Sequence, residues 1–319
     1  MEGKKGEMPH PTILPSNRPQ DRFYLGGDRI SSFRHEAAQG PRTPEDWIAS
    51  TTTCRGCSAA LDVGQTRLPN GGSLLKDEVT SDPISWLGAQ HLASFGADTK
   101  LLVKLLDAEA WYFLTGGEVF IGLRRDVSLN ELYRLVETQD VDALTGLMHR
   151  LVVQPHQTVY VPPGTLHAIG AGLLIVEVQE PEDLSILLEW KGFQIDGWKD
   201  GFLGLDPKRA LEAVQRRGQS GNDIRGLLNP RAGYGDMIVP ESAECFRLER
   251  IAVDGKAETS TGFAIVIVLD GEFEITTQND HDYVLEVKLG STIVVPHRSG
   301  MLTLNGTGEI LVALPPAPK

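Results

Sequence analysis

The sequence predicts a mainly β protein made of two tandem jelly-roll barrels, the first carrying helical insertions. The main observation is an internal echo. "GGEVFIGL" (Gly116 to Leu123) resembles "DGEFEITT" (Asp270 to Thr277), and "TVYVPPGTLHAIG" from Thr158 resembles "TIVVPHRSGMLTLNG" from Thr292. Each copy reads as a strand entered from a glycine turn, then a Thr-led apolar strand ending in proline, then another extended segment. That cadence belongs to small antiparallel barrels. The second observation is a difference between the copies: Gly117 to Thr158 spans 41 residues, Gly271 to Thr292 only 21.

Taken in order, residues 1–20 ("MEGKKGEMPHPTILPSNRPQ") are Pro-rich without an apolar segment and predict a flexible arm rather than a signal peptide. Residues 21–234 form the first barrel and hold the candidate site. Its extra length is explained by "SLNELYRLVETQDVDALTGLMH", where Ser128 and Glu131 suggest a capping box and Leu132, Leu135 and Val136 an apolar stripe. Two short helices are expected there, over 128–138 and 140–149. A further helix is expected after Asp206-Pro207, through "KRALEAVQRR". Residues 235–319 form the second, compact barrel, with strands at Phe246 and Leu248, "FAIVIVL", "YVLEV", "STIVVP" and "EILVALP".

Composition excludes several classes. Apolar residues make up 41% of the 319 and charged residues 23%, as in an ordinary globular protein. A net charge of −13 argues against nucleic acid or an anionic membrane as partner, and no apolar run is long enough to span a bilayer. Cys54 and Cys57 form one C-x-x-C, too little for a zinc ribbon; with the distant Cys245 they read as reduced loop thiols.

The two copies differ chemically. His167 stands five residues after Pro162, whereas Met301 stands five residues after Pro296. A lone histidine is more often a satisfied core residue than a ligand, but the Pro-Pro-Gly turn before His167 is suited to aim a side chain into a barrel mouth.

"PPGTLHAIGAG" followed by "EVQEPED", with "LLVKLLDA" and "EAWYFLTGG" upstream, resembles the class I mannose-6-phosphate isomerases of the cupin superfamily, in their actinobacterial-type branch. The resemblance extends to "RFYLGGDRISSF", "TPEDWIASTTT" and "EWKGFQIDGWKDGFLGLD". It implies interconversion of mannose 6-phosphate and fructose 6-phosphate in the cytoplasm, through a metal-assisted enediol(ate), with one zinc per chain. Of the family's four metal positions, the glutamate of its "GKTEAWY"-like motif falls on Glu109 and the histidine of "GTLHA" on His167. The other two, from an H-x-H or Q-x-H strand, are missing: the histidines stand at 10, 35, 91, 149, 156, 167, 281 and 297, and "VKLLDA" runs directly into "EAWYFL". Loss of that strand would leave an open sheet edge unless Leu101–Leu106 and Trp111–Leu114 re-pair.

The resemblance also places Lys104 at the sugar-phosphate site and Glu177 near the reacting carbons as general base. The plain alternatives are a solvated strand lysine and a carboxylate paired with an arginine. Leu173, Ile175, Glu177 and Gln179 share one strand face by alternation. A second family lysine falls on Asp107 and a family arginine on about Leu187, so both are absent; Arg124, Arg125 and Lys191 are substitutes by charge alone. The expected partner is a small-molecule sugar phosphate. Three readings stay open: an isomerase whose site is completed by groups such as His91 or water, a non-catalytic bicupin that binds sugar phosphate or is structural, and a shortened product of an intact enzyme.

Overall fold

The computed structural model describes residues 9–55, 57, 62–69, 72–107 and 112–319. Its first strand, Thr12–Ile13 (β1), lies antiparallel along Thr292–Val295 in the second barrel. Leu14 and Arg18, just beyond it, are buried. The described part of the expected free arm is therefore packed. It covers what would otherwise be a bare sheet edge, and Leu14 enters the core between the barrels.

The chain continues through Asp28–Phe33 (α1), the wholly buried strand Glu45–Ile48 (β2), and helices Leu75–Ser81 (α2), Pro83–Leu87 (α3) and Ala89–Phe95 (α4). The first barrel follows, with Leu102–Leu106 (β3), Tyr112–Phe113 (β4) and Gly117–Leu123 (β5). Leu129–Thr138 (α5) and Val141–Gly146 (α6) are the inserted helices. Met148–Val153 (β6), Thr158–Val159 (β7), His167–Ile169 (β8) and Ile175–Gln179 (β9) complete most of its strands.

Two expectations change here. The second inserted helix stops at Gly146, because Met148–Val153 pairs residue by residue with β5. The helix after Asp206-Pro207 covers only Pro207–Leu211 (α8), following Gly197–Asp200 (α7). Beyond it the chain turns back to dock, the Gln215 amide donating to the Gly164 carbonyl at 2.8 Å. Gly221–Gly226 (α9) then leads to Leu228–Asn229 (β10).

The first barrel closes from two sheets, ordered β10-β7-β4-β9-β3-β2 and β6-β5-β8. β3 and β4 do not re-pair with each other: they flank β9 on opposite sides, Leu106 and Phe113 both lying level with Ile175. Parallel neighbours of one strand ordinarily need a long crossover. Here the two-residue β4 lies level with the end of β3 on the other side of β9. The sheet edge expected from the missing segment is thus filled by β9.

Gly235–Asp236 (β11), Arg247–Glu258 (β12), Ala264–Thr277 (β13), Val284–Lys288 (β14), Thr292–Val295 (β15) and Leu302–Leu314 (β16) make a single sheet curled on itself. β13 and β16 bend together where a register shift between Val268 and Asp270 sits next to the pair Gly271–Gly308. Gly271 has φ +76°, and a Cβ there would strike the Thr307 carbonyl, so glycine is required.

Strand alternation divides the interior. Leu101, Val103 and Leu105 point away from the first barrel and pack with Val176, Ile265, Leu311 and Ala313 in a core shared by both barrels. Leu106, Phe113, Ile121 and Ile175 fill the first barrel itself. Among the described residues no helix is long and apolar enough to cross a membrane.

Candidate active site

The pairing that closes the first barrel also sets one row of side chains on its inner face. Register places Trp47 of β2 opposite Lys104 of β3, and Lys104 opposite Glu177 of β9. The Lys104 ammonium lies 3.2 Å from the Glu177 carboxylate and donates to Gln179 Oε1 at 3.1 Å. It also sits 4.7 Å from the centre of the Trp47 ring, within cation–π range. Lys104 is 7% exposed, so it is no solvated strand lysine. Glu177 meets a lysine rather than an arginine.

Glu45 extends the row. Its carboxylate accepts from Arg22 Nε at 2.7 Å, from Trp47 Nε1 at 2.6 Å and from the Tyr24 hydroxyl. Arg22 Nη1 in turn reaches Cys54 Sγ at 3.2 Å and Cys57 Sγ at 3.4 Å. Those cysteines are joined in a disulfide, Cα atoms 5.7 Å apart, so the expectation of reduced loop thiols fails: the C-x-x-C turn brings the sulfurs together.

Two cations and two carboxylates are thus held in a largely dry array. Burial works against the Glu45 carboxylate, but Arg22, Lys104 and the two side-chain donors outweigh it, holding Glu45 below the usual range. Burial likewise opposes the Lys104 ammonium, and the charges of Glu177, Glu45 and Asp183 more than compensate, so it stays protonated above its ordinary value. Arg22, Tyr24, Glu45 and Trp47 were not singled out in the sequence. The available signal was "PEDWI", a run with two acids adjoining an indole, whose burial only the strand pairing reveals.

A cavity of about 360 Å³ opens next to Asp183, lined by Thr51, Thr53, Arg55, Lys76 and Asp183 among others. The Arg55 amide donates to Asp183 at 2.7 Å and the Thr52 hydroxyl to the Pro181 carbonyl at 2.9 Å, tying this loop to the end of β9. The other basic candidates lie elsewhere. Arg125 pairs on the surface with Glu131, and Lys191 lines a separate cavity of about 310 Å³ with Thr138 and Asp142. Asp107 is buried, accepting from the Gly27 amide and Arg29.

Of the two expected zinc ligands, Glu109 lies outside the described residues. His167 is on β8 and exposed, with Nδ1 2.8 Å from the Thr165 carbonyl; register sets it opposite Ile121 of β5, so the two side chains share one face of the sheet. His91, offered as a replacement, is buried in α4 against the Asp98 carbonyl at 2.7 Å. His149 and His156 are engaged with the Gln219 carbonyl and the Tyr112 hydroxyl. Among the described residues no three of His, Cys, Asp and Glu form a metal-ligand group. With no H-x-H anywhere in the sequence, the donor set on the described residues does not fit the family's zinc.

Comparison with known proteins agrees with the architecture. A solved mannose 6-phosphate isomerase from Bacillus subtilis superposes with a TM-score of 0.71 at 20% identity, covering 96% of this chain and 99% of that one. The Salmonella typhimurium mannose 6-phosphate isomerase, solved bound to its substrate fructose 6-phosphate and a zinc atom, gives 0.70 at 12% identity over 97% and 100%. These likenesses define the fold: the chain is a mainly β protein of cupin barrels. Residues 237–315 match the family model described as mannose-6-phosphate isomerase, cupin domain. The mannose-6-phosphate isomerase of Streptococcus mutans is 26% identical over 285 residues, 77% of this chain and 85% of that protein. The second barrel thus matches the cupin domain of mannose-6-phosphate isomerases, and the chain as a whole is similar to proteins of that name.

Proposed function

We propose that this chain is an aldose–ketose isomerase that interconverts mannose 6-phosphate and fructose 6-phosphate, with Glu177 and Lys104 at the reacting carbons. The observation that carries the reading is the buried Lys104–Glu177 pair on the inner face of the first barrel. In this reading Glu177 takes the proton from C2 of the aldose, the C2 hydroxyl proton passes to O1, and Glu177 returns its proton to C1 of the enediol. The Lys104 ammonium stabilises negative charge as it develops on the substrate oxygens. The phosphate is assigned to the cavity of Thr51, Thr53, Arg55 and Lys76, where two cations and hydroxyl donors are available. No step runs through a metal, because the donor set does not fit one. The substrate class puts the protein in the cytoplasm, where sugar phosphates are retained.

The test is a coupled assay of fructose 6-phosphate formation on the intact protein, without added metal. Glu177→Gln should lower turnover by about 10²–10⁴-fold with substrate binding preserved. A second reading, a bicupin that binds sugar phosphate without turning it over, is favoured by the missing H-x-H strand. Calorimetry showing fructose 6-phosphate binding with no turnover would select it.

A further inference from the structure

The C-x-x-C motif has no part in the reaction above, yet the structure ties it to the site through a short line of contacts. Arg22 Nη1 touches both sulfurs, at 3.2 and 3.4 Å, while its Nε holds Glu45 at 2.7 Å. Glu45 holds the Trp47 indole at 2.6 Å, and Lys104 lies over that indole. Trp47 and Cys54 pack in one small cluster with Leu102, with Cys57 against it. Cys54 is buried and Cys57 half-buried, so one sulfur is shielded and the other reachable.

We propose that Cys54 and Cys57 are a redox-active dithiol–disulfide site that exchanges with small-molecule or protein disulfides and sets how Arg22 is shared between the sulfurs and Glu45. The half-buried Cys57 thiolate attacks an external disulfide and expels one thiolate. Cys54 then attacks the mixed disulfide and expels the second, so two electrons leave the pair and its two protons end on the released thiols. In the disulfide form the sulfurs are uncharged and Arg22 belongs to Glu45. In the reduced form a thiolate next to the guanidinium is stabilised and competes for it. Glu45 then draws more on Lys104, and the Lys104–Glu177 contact loosens.

The experiment does not depend on the isomerase reading. The intact protein is equilibrated in glutathione buffers of graded ratio, quenched by alkylation and analysed by mass spectrometry, with tryptophan emission recorded in parallel. The pair should pass reversibly from dithiol to disulfide within the series while Cys245 stays alkylatable throughout. Emission should fall on oxidation, a change absent in Trp47→Phe and in Cys57→Ser. Arg22→Gln should move the exchange equilibrium roughly tenfold toward the disulfide, since the thiolate loses its counter-charge. A pair reduced at every ratio, a pair oxidised at every ratio, or oxidation with unchanged Trp47 emission would each overturn the proposal; Cys57→Ser keeps the test decisive if Arg22→Gln does not fold.

Discussion

Glu45 is 2% exposed and carries a full charge only because Arg22, Lys104, Tyr24 and Trp47 surround it. Glu45→Gln leaves Arg22 buried without its counterion and should cost about 3–5 kcal/mol, measured by urea unfolding. The pH dependence follows from the same cause. A carboxyl whose folded pKa lies below the unfolded value of about 4.3 contributes its full stability above that value and loses it as pH falls through the folded one. The wild type should therefore lose stability through this acid range, and Glu45→Gln should flatten that limb. Lys104 gives the complementary test. Lys104→Met strands Glu177 in a dry setting, whereas Lys104→Met with Glu177→Leu removes both charges. The double variant should recover most of the few kcal/mol lost by the single one; a double variant as unstable as the single would contradict the pairing.

Among the elements, α5 shows how a sequence signal is met only in part. Ser128 caps the helix, its hydroxyl accepting from the Glu131 amide at 3.1 Å. Glu131 does not close the expected box; its carboxylate goes to Arg125 at 2.6 Å. The reciprocal box occurs instead at Ser220 and Asp223 on α9. Ser128→Ala should cost about 1 kcal/mol and speed amide exchange in the first turn of α5, leaving the barrel strands unaffected. The inserted helices pack on Phe202 and Leu211 in a cluster of their own, away from Lys104 and Glu177. They were legible because capping residues and an i, i+3, i+4 stripe are local signals. Their lengths were not: pairing with β5 ends α6 from outside, as docking against Gly164 ends α8.

At the scale of the molecule, the two barrels share one core, with Val103 and Val176 on one side and Ile265 and Leu311 on the other. Ile265→Ala, in the second barrel, should cost about 2–5 kcal/mol. All five tryptophans precede residue 235, and Trp86 lies in the shared core, so tryptophan emission reports the first barrel and its seam with the second. Its unfolding midpoint should nevertheless shift together with that of far-ultraviolet circular dichroism, and separate midpoints would show that the barrels unfold independently. The sequence by itself determined the tandem barrels, the inserted helices, the resemblance to mannose-6-phosphate isomerases, and the absence of an H-x-H motif. These rest on turn residues, periodicity and motif order, which are local. Only the tertiary structure decided that β9 lies between β3 and β4, that Lys104 faces Glu177 under Trp47, that Arg22 joins Glu45 to the cysteine pair, and that His167 is exposed. Register and burial arise from contacts between residues far apart in the chain: Lys104 and Glu177 meet across 73 positions, a separation that no local pattern encodes.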